Sequence, residues 1–213
     1  MHKPESNIEW LVWGALTLTI GAITTAFVWT RVRQGALPNV DLPLSYPVPD
    51  FTLTNQNGEA VSLKDLRGQV WVADLIFTRC AGPCPRLTTQ MSQLQQALPA
   101  DPAVKLITLT TDPGYDSPAV LKRYGERFGA NAGRWIFLTG AREQIARLAV
   151  DGLKLVALEK KPAERQSPED LFIHSTLFVV VDAQGRLRVT FDSEDAAWKG
   201  RVLGAVKKLL HEK

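Results

Sequence analysis

The sequence predicts an α/β domain, a central mixed sheet flanked by helices, set behind one N-terminal transmembrane helix. Three observations lead there. Residues 10–30 carry no charge. From Asp50 onward, apolar runs of strand length alternate with runs of helical spacing. The two cysteines of the chain, Cys80 and Cys84, lie four residues apart, between one such strand and one such helix.

A chain of 213 residues suits one domain plus an appendage. Hydrophobic residues make up 45% and charged residues 22%, an ordinary globular balance. The net charge of +3 leaves no basic field for nucleic acid, so that class of partner is excluded. Two cysteines rule out a disulfide framework and a four-thiolate zinc site. A single pair still suits an oxidising compartment, a redox site or a metal site.

Residues 1–9 form a short N-terminal tail. Residues 10–30, WLVWGALTLTIGAITTAFVWT, would span roughly 30 Å as a helix, the depth of a bilayer core. Trp10, Trp13 and Trp29 lie near its ends, where indoles favour the interface. A cleaved signal would have a shorter apolar core. Charge does not set the orientation: Lys3 precedes the run, and Arg31 and Arg33 follow it. Residues 31–49 contain Pro38, Pro43, Pro47 and Pro49 and read as a stiff linker that holds the domain off the membrane.

The domain is expected over residues 50–213. A strand over 51–55, an Asn57-Gly58 turn and a partner at 61–63 open it. Residues 70–77, VWVADLIF, are almost wholly apolar, as a central strand requires. A helix follows over 85–98, with apolar positions 87, 91, 94 and 98 on one face. Residues 104–110 form the next strand. Ser117 caps a helix that Pro118 opens and that runs to 128. A strand over 135–138 and a helix from Arg142 to about 150 come next. A hairpin over 177–191 turns at Gln184-Gly185, and a helix over 194–210 closes the chain. Strand, cysteine turn, helix, strand, helix, hairpin, helix is the thioredoxin-like order.

Within Cys80-Ala81-Gly82-Pro83-Cys84-Pro85, Pro85 suits a first helical position and so places Cys84 at the N-cap. The helix dipole would there favour a thiolate, and Arg79 and Arg86 would add to it. Thioredoxin-type redox pairs leave two residues between the thiols; here there are three, a wider bite that suits a metal as well. His174 is the third candidate. His2 and His211 lie at the chain ends, whereas His174 immediately precedes the apolar strand that begins at 177, a stretch that runs beside the cysteine turn in a thioredoxin fold. Thioredoxins keep a cis-proline there, and this chain has no proline after Pro168. Two thiolates and an imidazole suit copper; zinc would want a fourth ligand. A thiol–disulfide enzyme and a structural disulfide stay open. A peroxiredoxin would need Thr where Phe77 stands.

The stretches FTRCAGPCP, TLTTDPGYDSPAVLKRYGERFG and IHSTLFVVVDAQGRL resemble the SCO/SenC family of copper-binding proteins, over roughly residues 48–211. The resemblance implies a membrane-tethered, thioredoxin-like metallochaperone rather than an enzyme. Its ligands for one copper ion, as Cu(I) or Cu(II), would be Cys80, Cys84 and His174. Its partner would be the copper-receiving subunit of cytochrome c oxidase, whose dinuclear copper centre such proteins help to metallate. It would sit in the cell inner membrane by a single pass, facing the periplasm, or in the mitochondrial inner membrane facing the intermembrane space. The alternative is a thiol–disulfide oxidoreductase that keeps the oxidase's copper-ligand cysteines reduced, with Cys80 and Cys84 as its redox pair. Many members have Pro-Asp after the first cysteine; this chain has Ala81-Gly82.

Overall fold

The structure is a computed structural model that describes residues 8–35, 40–165 and 171–212, with the side chains of residues 8, 9, 11, 27–35, 157 and 174 outside that description. The chain divides into two units, residues 1–37 and 38–213. The first holds one helix, α1 (Ile8–Gly35), of 28 residues. Its described threonine side chains bond back onto their own helix: Thr19 Oγ1 donates to the Ala15 carbonyl at 2.6 Å and Thr25 Oγ1 to that of Gly21 at 2.7 Å. Among the described residues, no helix is long and apolar enough to cross a membrane.

The second unit is built on an eight-stranded mixed sheet. Its strands are β1 (Tyr46–Pro47), β2 (Thr52–Asn55), β3 (Ala60–Ser62), β4 (Val70–Ile76), β5 (Val104–Thr110), β6 (Trp135–Thr139), β9 (Leu177–Val181) and β10 (Arg186–Asp192). They lie in the order β1-β10-β9-β4-β5-β6-β2-β3. The pairs β4–β5 and β5–β6 are parallel, and β9 runs antiparallel against β4. Every residue of β4 is buried, because alternate residues feed two separate cores. Val72 and Ile76 pack with Leu87, Met91 and Leu94 of α3 (Pro83–Ala97) and with Val202 and Val206 of α6 (Trp198–His211). Trp71, Ala73 and Leu75 pack on the other face with Ile145 of α5 (Arg142–Ala146) and with Leu148. Helix α4 (Pro118–Arg127) starts at Ser117, whose hydroxyl accepts from the Val120 N–H, as its Ser-Pro start predicts. A one-turn helix, α2 (Leu63–Leu66), follows β3.

Four findings correct the sequence expectations. Helix α3 starts two residues early: Gly82 is the N-cap and Pro83 the first helical residue, which moves Cys84 inside the helix. Helix α6 starts late, at Trp198, because Asp195 bonds the Ala197 N–H and accepts that of Trp198 in a turn. Residues 40–49, expected as linker, lie on the domain. Val40 and Val48 are buried, and β1 pairs with β10. The edge position explains how a strand tolerates Pro47. Gly152 seals that contact, since a Cβ there would meet Pro49 Cδ at 2.8 Å. Last, the stretch before β9 forms a separate antiparallel ribbon, β7 (Ala157–Glu159) with β8 (Phe172–His174).

Candidate metal centre

The cysteine side of the site is built by the end of β4. That strand emerges from the sheet at Ile76, and a turn closed by the Cys80 N–H onto the Phe77 carbonyl (3.2 Å) leads into α3. One buried carboxylate holds this turn. Asp116 accepts from the Thr78 N–H at 3.1 Å, from the Thr78 hydroxyl at 2.5 Å and from the Thr110 hydroxyl. Asp116 is fully buried. Burial pushes its carboxyl up from the usual carboxylate range, and the three donors offset only part of that rise. In the sequence Asp116 merely stands next to the Ser117 helix start; in the structure it is the clamp between the ends of β4 and β5. Its position in Asp112-Pro113-Gly114-Tyr115-Asp116-Ser117-Pro118 was the available signal.

Cys84 occupies the second position of α3 and is fully buried, whereas Cys80 is half-buried. No disulfide joins them. The thiols lie within hydrogen-bond reach of each other. Burial pushes the Cys84 thiol far up, the hydrogen bond that it donates to Cys80 adds to this, and the backbone N–H of Phe77 opposes it. The expectation of a dipole-stabilised thiolate is therefore corrected. A helix N-terminus is worth about 0.3–1 kcal/mol to an anion, while burying an uncompensated charge costs several times that. The two arginines do not help. Arg79 binds Asp112 at 2.5 Å and stacks over the Tyr115 ring at 4.2 Å. Arg86 binds Glu194 at 2.6 Å. Beneath the helix, Asp74 on β4 accepts from the Thr108 hydroxyl at 2.6 Å, and Thr108 in turn accepts from Trp135 Nε1 at 2.9 Å. The buried Cys84 thiol thus keeps its proton in the metal-free chain, and a bound cation would supply the charge that a thiolate there needs. Two adjacent soft donors, one buried and one half-buried, fit a soft monovalent ion such as Cu(I).

The third expected residue, His174, has its backbone in β8, opposite Ala157; its side chain lies outside the described residues. Among the described residues, no three His, Cys, Asp or Glu side chains form a metal cluster. The strand that carries His174 is nevertheless tied to the cysteine segment on both sides. Before it, the Phe172 ring packs edge-on against Phe77, centroids 5.1 Å apart. After it, the Thr176 carbonyl accepts from the Ser193 N–H at 3.0 Å, and the Ser193 carbonyl accepts from Gln90 Nε2 of α3 at 2.8 Å. Gln90 and Ser193 are links that the sequence did not single out.

The SCO1/SenC family profile matches residues 44–211. A SCO1 protein homologue of Bacillus subtilis is 39% identical over 147 residues, covering 68% of this chain and 73% of that protein. A Stutzerimonas stutzeri protein with the provisional name copper-binding protein is 32% identical over 149 residues, covering 69% of this chain and 70% of its own length. Among solved structures, BsSco is a member of the Sco family of cytochrome c oxidase assembly proteins in which a disulfide switch has been identified. It superposes with a TM-score of 0.70 at 32% identity, over 83% of this chain and all of that one. A SCO1/SenC family lipoprotein from Bacillus anthracis gives a TM-score of 0.71 at 28% identity, over 80% of this chain and 99% of that one.

Proposed function

The chain belongs to the SCO1/SenC family, and from that premise we propose that it is a membrane-tethered copper-binding protein of cytochrome c oxidase assembly. One copper ion is held by Cys80, Cys84 and His174 and passed to the copper-receiving subunit of the oxidase, at its dinuclear centre. The observation that carries this reading is the pair of adjacent thiols, one fully buried, at the point where β8 is tied to the cysteine turn through Phe172 and Phe77. Alternate strand positions share a face, so position 174 shares the face of position 172. Two thiolates satisfy Cu(I) in part by themselves; Cu(II) depends more on the imidazole. The named relatives and the Sco structures support both the metal and the assembly role.

The anchor is part of the proposal. Residues 10–30 carry no charge, α1 runs for 28 residues, and the hydroxyls of Thr17, Thr19, Thr24 and Thr25 are satisfied within the helix, which lowers the cost of an apolar surrounding. A single pass would place the domain on the periplasmic or intermembrane-space side.

A Cu(I) titration of the full chain with reduced thiols, against a competing chelator, tests the reading. One tight equivalent is expected, lost in Cys80→Ala and in Cys84→Ala. His174→Ala should weaken Cu(II) more than Cu(I). Equal affinities in wild type and His174→Ala would remove His174 from the site. Extraction should need detergent, and release by a salt wash would contradict the anchor. The second reading, a thiol–disulfide reductase acting on the oxidase's cysteines, is favoured by the proximity of the thiols and by the disulfide switch of BsSco. It would be preferred if the chain takes up no tight copper but forms a readily reducible Cys80–Cys84 disulfide.

A further inference from the structure

We infer that Ser175 is a positioning residue for copper, acting through the backbone of its neighbour His174; the inference rests on the copper reading above. The β7–β8 ribbon has only three paired positions, Ala157↔His174, Leu158↔Ile173 and Glu159↔Phe172. So short a ribbon is marginal alone and frays from its ends. His174 occupies the last of these positions, where fraying starts.

The ladder does not stop there. The Ser175 N–H donates to the Val156 carbonyl at 3.1 Å. In a regular antiparallel pair the Val156 N–H would return a bond to the Ser175 carbonyl. It donates instead to the Ser175 hydroxyl, at 2.7 Å. The side chain thus completes the pair, and the main chain turns away at Thr176 to meet Ser193 and begin β9. His174 therefore lies one residue inside the last closed pair. A strand pair can close this way only if the residue after the strand carries a side-chain acceptor that reaches back, here the Ser175 hydroxyl.

Val156 is 45% exposed. In Ser175→Ala, water can take over its N–H, so the loss falls on the ribbon end and not on the core. Partners that hold a metal ligand in place are worth about 10–100-fold in metal affinity. The Ala variant should bind Cu(II) about tenfold more weakly, with an altered sulfur-to-copper charge-transfer band, while Cu(I) affinity stays near wild type. Ser175→Thr keeps the hydroxyl and should restore both. In the metal-free protein, amide exchange at residues 172–176 should speed up about tenfold in the Ala variant and not in the Thr variant.

The experiment is performed on the full chain in detergent, with wild type, Ser175→Ala, Ser175→Thr and His174→Ala side by side. Wild type that takes up no copper overturns the copper reading and this inference together. If wild type binds Cu(II) through His174 and Ser175→Ala binds it as tightly, this inference alone fails. It also fails if Ser175→Ala loses Cu(I) and Cu(II) equally and its apo melting temperature falls well beyond about 2 °C, because the hydroxyl then serves the fold and not the site.

Discussion

The two halves of the candidate centre are built differently. The cysteine half grows out of β4, buried along its whole length, and its turn is clamped by the buried Asp116. The histidine half sits on a three-pair ribbon outside the main sheet, with Leu158 58% exposed and Ile173 50% exposed on its outer side. One half is fixed by the core and the other by a few hydrogen bonds and one aromatic contact. Where a site joins two such halves, the half made of the core sets whether an ion is held at all. The peripheral half sets which oxidation state is held best and can yield when the ion leaves.

Hydrogen exchange is the most direct way to break this comparison. Amides of β4 and β5 should open only with global unfolding, and those of β7 and β8 by local opening. Protection factors should differ on the order of a thousand-fold, equal to about 4 kcal/mol. Equal protection in the two regions, measured by mass spectrometry on the metal-free chain, would make the ribbon part of the core. Asp116→Ala probes the other half. It removes the acceptor of three donors, two of them on Thr78. The loss should cost about 3 kcal/mol, because buried donors left without acceptors pay their full desolvation. Denaturant unfolding measures it, and a loss under about 1 kcal/mol would show that the turn holds without its clamp.

Proton release sharpens the picture of the thiol pair. Because burial and the Cys80 contact hold the Cys84 thiol well above its ordinary range, it is protonated near neutral pH. Binding a metal through that sulfur must then expel its proton. Copper affinity should rise with pH, by about tenfold per unit or more. It should fall by the same slope on acidification. Calorimetry in buffers of different ionisation enthalpy should count at least about one proton per ion. A pH-independent affinity would mean that Cys84 is already ionised in the metal-free chain.

The same contrast explains what could be read from the sequence. β4, the cysteine turn, α3, β5 and the 177–191 hairpin are legible because burial forces long apolar runs and the turns need Gly, Pro or Ser at fixed places. The ribbon is not, since Ala157-Leu158-Glu159 and Phe172-Ile173-His174 are too short to show a period and are separated by charged residues. β1 is hidden by Pro43, Pro47 and Pro49, which suit a linker and an edge strand equally well. The protonation of Cys84 could not be read either. Sequence places it at a helix start, but its burial comes from Tyr124, Phe77 and the strands around it. Asp116 shows a turn motif in sequence, while its bonds to Thr78 span 38 positions.

The smallest expected effect tests the outer side of the ribbon. Leu158 stands opposite Ile173, and both are about half exposed. If that side faces solvent in the isolated protein, Leu158→Ser removes little buried surface. Stability should then change by no more than about 0.5 kcal/mol, as for exposed positions generally, and copper affinity should not move. The backbone bonds that place His174 run through Ser175 and Val156 and do not involve the Leu158 side chain. A loss above about 1 kcal/mol in the denaturation midpoint would mean that the ribbon's outer side is packed, and the two halves of the centre would be less different than their burial suggests.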